Sequence, residues 1–224
     1  MTYDNFLKIL APYCEEVFAR FQNKLILPPK QKILGVRTPT LRKIAKKHLN
    51  EIDEIFSFPN EYYEISFIKL TMASLLPYQD FLKYLDECVK LIDNWALCDS
   101  FKANCIKNHK KGFLPIIEKY FITKKEFCQR YALVCLLSYY MEEEYFEILL
   151  SYLQRADTSY YYVHMASAWL TAEIIIKHYE FGLQILHSHI LDVKTHNKSI
   201  QKARESFRLN ADKKAFLNTL KIKN

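Results

Sequence analysis

Glycine occurs only three times in the 224 residues of this chain, and this scarcity limits the folds that it can adopt. The hairpin turns of all-β proteins and the phosphate loops of nucleotide-binding folds both depend on glycine, so neither class is favoured. Half of the residues are hydrophobic, which is enough to bury a sizeable core. The composition therefore predicts an all-α protein.

Three large side chains recur at the spacing of a helical repeat. Arg130 follows Trp95 by 35 residues, and Trp169 follows Arg130 by a further 39. These steps match the length of a helix pair of the HEAT class, so the three residues are predicted to occupy the same helix of consecutive repeats. The predicted architecture is an α-solenoid of HEAT-like helix-pair repeats. A compact irregular helical bundle is the alternative, because the repeats share shape more than sequence.

Apolar residues at helical spacing divide the chain into amphipathic segments. They predict helices at residues 4–24, 38–49, 61–76, 78–92, 95–109, 113–121, 125–140, 142–155, 159–178, 181–191, 197–209 and 212–222. Pro28 and Pro29 are predicted to end the first helix, and Thr38 and Pro39 to cap and begin the second. The connections are short, which favours antiparallel helix pairs and a single domain over residues 1–224.

Positive charge is grouped along the chain. The formal net charge is +7 and the sequence pI is about 8.9, which fits a polyanionic partner without requiring one. The predicted contacts to such a partner are Arg37, Arg42, Lys43, Lys46, Lys102, Lys124, Lys198 and Lys202.

The six cysteines contain no Cys-x-x-Cys motif, and two pairs are seven residues apart, as on one helix face. This pattern favours buried free thiols over disulfides or zinc ligands. No cofactor or metal site is predicted. No apolar run approaches the roughly 20 residues that a membrane span needs, so a cytoplasmic protein is expected. The protein is also expected to be a monomer.

Trp95 and Asp99 are separated by four residues and are predicted to share one helical face, with Asn94 as the N-cap. The alternative is structural, since a tryptophan can fill the core and an aspartate in an early helical turn is favoured by the helix dipole. Arg130 interrupts an apolar helix, so it is expected to pair with Asp99 or a phosphate. Trp169 is either a core residue or part of the same groove.

Five segments together resemble the bacterial DNA alkylation repair family of AlkD type. They are residues 34–43 (LGVRTPTLRK), 94–99 (NWALCD), 129–132 (QRYA), 160–169 (YYYVHMASAW) and 196–206 (HNKSIQKARES). They occur in the family's order over nearly the whole chain, and their joint spacing is more specific than any one of them.

The resemblance implies an α-solenoid that holds duplex DNA in a basic concave groove and excises cationic N3- and N7-alkylated purines. It implies that Asp99 is the catalytic carboxylate and that Trp95 and Trp169 flank the deoxyribose of the lesion. It also implies that Arg130 grips the phosphodiester. A positively charged base is already a good leaving group, so a carboxylate that stabilises the sugar cation and orients water is sufficient chemistry.

One segment departs from the family pattern. AlkD-type glycosylases have an additional basic and aromatic helix between the first helix and the Leu-Gly-x-x-Thr-Pro segment, where this chain has only residues 24–33 (KLILPPKQKI). The two prolines predict that no full helix forms there. This shortened segment supports an alternative hypothesis, in which the protein is a catalytically weak or inactive module that binds DNA or a protein partner. A scaffold that binds no nucleic acid would require the basic groups to lie on scattered faces.

Overall fold

The computed structural model describes residues 1–26 and 30–223. Its described residues form α-helices and short 3-10 helices, with an isolated backbone bridge between Lys32 and Tyr62. The predicted all-α class is confirmed. None of the helices in the described ranges is long and apolar enough to span a membrane. The predicted helix stop at Pro28 and Pro29 lies outside the described residues.

The chain divides into two compact units, Met1–His109 and Lys110–Asn224. The first unit contains α1 (Tyr3–Leu10), α2 (Glu16–Leu25), α3 (Thr38–Lys47), α4 (Ile52–Phe56), α5 (Tyr63–Ser74), α6 (Tyr78–Leu91) and α7 (Trp95–Ser100). Helix α5 is its centre, because it packs against α3, α4, α6 and α7, and ten of its twelve residues are buried. The single domain over residues 1–224 stays a prediction.

The second unit contains α8 (Lys110–Phe121), α9 (Glu126–Tyr139), α10 (Phe146–Arg155), α11 (Tyr161–Lys177), α12 (Tyr179–His187), α13 (Val193–Glu205) and α14 (Ala211–Thr219). Helix α11 packs against α9 on one side and α13 on the other, while α8 packs on α9. The buried side chains of Ala166 and Ala168 allow these neighbours to approach closely. Stacked helix pairs require this side-by-side packing of every second helix. The HEAT-like repeat itself stays a prediction.

The prediction of one helix over residues 4–24 was wrong. Helix α1 ends at Leu10, a 3-10 turn at Ala11–Tyr13 follows, and Glu15 is extended before α2 begins. Pro12 explains the break, because it has no backbone N–H to continue the hydrogen-bond ladder of α1.

The prediction of one helix over residues 95–109 was also wrong. Helix α7 ends at Ser100, and a 3-10 helix follows at Asn104–Asn108. Between them, Phe101 and Ala103 are non-helical and buried. Because these two apolar residues are buried, the sequence keeps the apolar pattern of a helix at positions where the backbone is not helical. The other helices were predicted to within a few residues, except for the short α4, which was not predicted.

Candidate functional site

Helix α7 presents Trp95 and Asp99 on a half-exposed face. The side chain of Asn94 accepts a hydrogen bond from the backbone N–H of Leu97 at 3.0 Å, which confirms the predicted N-cap. Leu97 and Cys98, on the opposite side of the helix, are buried in the core of the first unit. The packing of this side leaves Trp95 and Asp99 half-exposed.

The indole of Trp95 is tied to the end of α2. Its Nε1 donates a hydrogen bond to the backbone carbonyl of Leu25 at 3.2 Å. Leu25 is the last residue of α2 and is 70 residues away in sequence. The ring of Trp95 is therefore held in one orientation by a backbone group.

The start of α2 is tied to the segment before α3. The guanidinium of Arg37 donates to both carboxylate oxygens of Glu15, with the shortest distance 2.7 Å, and lies 4.0 Å from the ring centroid of Phe18. Gly35, at φ 85°, lies so close to α2 that a Cβ atom there would be 2.3 Å from the carbonyl oxygen of Glu15. Helix α2 is therefore fixed at both ends within the first unit.

The expected absence of a further helix within residues 24–33 stays a prediction, because residues 27–29 lie outside the described ranges, but the residues before them form a helix of their own. Helix α2 precedes residues 34–39 and carries Arg20 and Lys24 beside an exposed apolar row formed by Val17, Phe21 and Leu25. The helix was missed because its apolar residues continue the periodicity of α1, which disguises the break at Pro12.

Glu64 of α5 organises the predicted Leu-Gly-x-x-Thr-Pro segment. Its carboxylate is fully buried and accepts hydrogen bonds from the backbone N–H groups of Leu34, Gly35 and Val36, at 3.0, 2.8 and 3.3 Å. Burial raises the pKa of Glu64, and the three N–H donors oppose that rise. Sequence analysis missed Glu64, because its partners are backbone groups about 30 residues away.

Arg130 connects α9 to the first turn of α11 within the second unit. The side chain is 5% exposed, its Nη1 donates to the carbonyl oxygen of Tyr162 at 3.0 Å, and its guanidinium lies 5.8 Å from the Tyr162 ring centroid. Two further side chains of α9 support this connection. Glu126 accepts a hydrogen bond from the N–H of Tyr162, and Gln129 accepts one from the N–H of Asp157 in the loop before α11. Neither was predicted from the sequence.

Trp169 lies on α11 and is half-buried. Arg130 and Trp169 belong to the second unit, whereas Trp95 and Asp99 belong to the first. The convergence of the four residues on one groove stays a prediction.

The predicted phosphate contacts differ in their surroundings. Arg42, Lys43 and Lys46 are exposed on α3, opposite its buried residues, whereas Arg37 is already paired with Glu15. Lys102 is exposed just after α7, and Lys124 is exposed in the loop before α9 at φ 57°. Lys198 and Lys202 lie on α13.

All six cysteines are free thiols. Cys88, Cys98 and Cys135 are buried, but Cys14 is exposed, contrary to the predicted burial. Within the described ranges, no group of three or more histidine, cysteine, aspartate or glutamate residues could hold a metal ion.

Comparison with protein families finds a match over most of the chain. The model of the family described as DNA alkylation repair enzyme matches residues 12–206, which include all five segments quoted above. A search of the curated proteins found no match.

Proposed function

Because the chain belongs to the DNA alkylation repair enzyme family, its role is in DNA repair, and we propose that it is an alkylpurine DNA glycosylase. It binds duplex DNA in a basic concave groove and hydrolyses the N-glycosidic bond of cationic N3- and N7-alkylated purines. DNA follows from the family as its substrate or partner, whereas the lesion and the reaction are parts of the proposal.

The arrangement on α7 carries the proposal. Asp99 lies one helical turn after Trp95, on a face that the burial of Leu97 and Cys98 leaves half-exposed. An anionic carboxylate at such a position can stabilise positive charge that develops on a deoxyribose as the base leaves. The fixed indole of Trp95 is suited to pack against the sugar.

The proposed reaction needs little from the protein besides electrostatics. The glycosidic bond breaks and its electron pair neutralises the cationic base, which leaves as a neutral purine. The sugar cation is stabilised by Asp99 and captured by water, whose proton passes to solvent. In this proposal Arg130 binds a backbone phosphate, and Trp169 packs beside the lesion.

Release of free alkylated base from methylated duplex DNA tests the proposal. Asp99→Asn keeps the shape of the side chain and removes its charge, so the rate is expected to fall about a hundredfold or more. Asp212→Asn, at an exposed position of α14, is the matched control and should release base at the wild-type rate.

Equal base release by the wild type and Asp99→Asn would contradict the catalytic role of Asp99. If the wild type itself releases no base but binds duplex DNA, the protein is the alternative, a DNA-binding module without glycosylase activity.

A further inference from the structure

An open cleft of about 760 Å³ lies in the second unit, between the start of α11, α13 and the C-terminal residues. Its lining includes Tyr161, His164, Lys194, Lys198, Lys221 and Lys223. Four of its lining residues are lysines, and no carboxylate lines it within the described part of the chain. The volume is sufficient for a nucleotide-sized group.

Two consecutive residues of α13 fix the C-terminal wall of the cleft. His196 contacts the carbonyl oxygen of Leu220 through Nε2 at 2.9 Å. Asn197 donates to the carbonyl oxygen of Ile222 at 2.8 Å and accepts from its N–H at 3.0 Å. Lys221 and Lys223, on either side of Ile222, are thereby held at the cleft.

The lysines of the cleft have no carboxylate partner among the residues that the structure describes. Lys194, Lys221 and Lys223 form no ion pair with any residue that the structure describes, and Lys198 contacts only the neutral side chain of Gln201, at 3.1 Å. A group of unneutralised lysines attracts anions and releases counterions when a polyanion binds. The cleft is therefore suited to an anionic ligand.

His164 forms the floor of the cleft and is 3% exposed. Its Nδ1 lies 2.8 Å from the hydroxyl oxygen of Thr195, and that hydroxyl donates its hydrogen to Asp192 at 2.6 Å. Because Thr195 has a single hydroxyl hydrogen, Nδ1 of His164 must carry the proton and act as the donor. In the neutral ring, Nε2 is then the atom that can gain a proton.

We propose that this cleft binds the phosphodiester backbone of a nucleic-acid strand, and that His164 takes up a proton at Nε2 when a phosphate enters. Tyr161, which is 58% exposed at the cleft, offers a ring on which a base can stack. A basic cleft with an exposed aromatic ring fits a nucleic-acid strand better than an acidic protein. The inference rests on the proposed DNA binding but not on base release.

The charges around His164 explain why phosphate and proton bind together. Burial lowers the pKa of His164, and Lys194 lowers it further, with smaller effects from Lys198 and Lys202, whereas Asp192 opposes the shift. Tyr161 on the same helix and the lysines at positions 221 and 223 also face the cleft. A phosphate offsets the lysine charges, so protonation of His164 becomes easier in the complex than in the free protein.

The first experiment measures binding of unmodified duplex DNA by fluorescence anisotropy at several salt concentrations. The double variant Lys221→Gln/Lys223→Gln should bind about tenfold more weakly at low salt, with the log-log salt slope reduced by about 0.9 per lost contact. The control Lys177→Gln/Lys214→Gln removes the same charge outside the cleft and should have a smaller effect. Equal weakening by both pairs would overturn the proposal.

The second experiment follows the same binding between pH 5.5 and 8. If the complex holds one more proton than the free protein, affinity rises as pH falls, by at most about tenfold per pH unit. His164→Gln should lose this dependence, while Lys194→Gln should move it to higher pH because it removes a positive charge beside His164. An identical pH profile in the wild type and both variants would overturn the role of His164.

A poly-glutamate peptide distinguishes the occupant. If it binds as tightly as DNA and is weakened equally by Lys221→Gln/Lys223→Gln, the cleft is a site for an acidic protein and the proposal is wrong. If the wild type releases no alkylated base but this variant still selectively weakens DNA binding, the glycosylase proposal fails and the cleft proposal stands. If the wild type releases alkylated base but the variant binds DNA as tightly as the wild type does, the glycosylase proposal stands and the cleft proposal fails.

Discussion

At the scale of single residues, Glu64 shows how one buried side chain can fix a whole segment of the first unit. One buried carboxylate satisfies three consecutive backbone N–H groups, from Leu34 to Val36, and so fixes the segment that leads into α3. Buried N–H groups without acceptors are costly, so this segment depends on Glu64 for its conformation.

Glu64→Ala is expected to lower the free energy of unfolding by about 3 kcal/mol, because three buried N–H groups lose their acceptors. The measurement is urea denaturation at neutral pH. Glu54→Ala, at an exposed position of α4, is the matched control and should change the free energy by about 0.5 kcal/mol or less. Similar losses in both variants would show that the contacts of Glu64 are not the cause.

At the scale of helices, α2 shows where sequence analysis misplaced a boundary. Its apolar residues extend the periodicity of α1, so the two helices were predicted as one. By contrast, α6 was predicted closely, because its apolar face ends at clear signals, Pro77 before it and Asn94 shortly after it. Periodicity identifies a buried face, but it does not detect a change of direction between two helices.

In the candidate site, too, features that depend on local helical geometry could be predicted from the sequence, and contacts between distant segments could not. The spacing of Trp95 and Asp99 and the Asn94 cap were visible in the sequence, since they depend on local helical geometry. The contacts of Trp95 with Leu25 and of Arg130 with Tyr162 use backbone carbonyl groups. Every residue has such a group, so these partners leave no signal in the sequence.

Gly35→Ala tests how firmly α2 is held. Alanine is strained at φ 85°, and its Cβ would lie 2.3 Å from the carbonyl oxygen of Glu15, so the start of α2 must move. We expect the backbone amides of α2 to lose protection in hydrogen exchange, while those of α6 keep theirs. Gly112→Ala, on the exposed side of α8, is the control and should be neutral or stabilising by up to about 1 kcal/mol.

Unchanged protection of α2 in Gly35→Ala would mean that the hydrogen bonds of Leu25 with Trp95 and of Glu15 with Arg37, rather than the close approach at Gly35, hold the helix in place.

At the scale of the whole molecule, the net charge of +7 predicts that association with DNA is dominated by phosphate contacts. In the first unit the exposed basic residues Arg42, Lys43 and Lys46 lie together on α3, and in the second unit four lysines surround one cleft. Each unit therefore has its own group of positive charges.

Binding of duplex DNA should weaken as salt rises, with a log-log slope of about −0.9 per phosphate contact. Arg42→Gln/Lys46→Gln should reduce the magnitude of that slope by about 1.8 if both side chains contact phosphates. Lys8→Gln/Lys90→Gln, at exposed positions of α1 and α6, is a matched control for the change in net charge. A slope near zero in the wild type would favour a protein partner instead of DNA.

The chain has two tryptophans, and one lies in each compact unit: Trp95 in the first and Trp169 in the second. Both are half-exposed, so the emission of each indole will respond to changes in its own surroundings. Trp169→Phe leaves an intrinsic fluorophore that reports on the N-terminal half alone, and Trp95→Phe leaves one for the C-terminal half. The protein thus carries a natural optical probe for each half, with which the unfolding of the two halves can be followed separately without an added label.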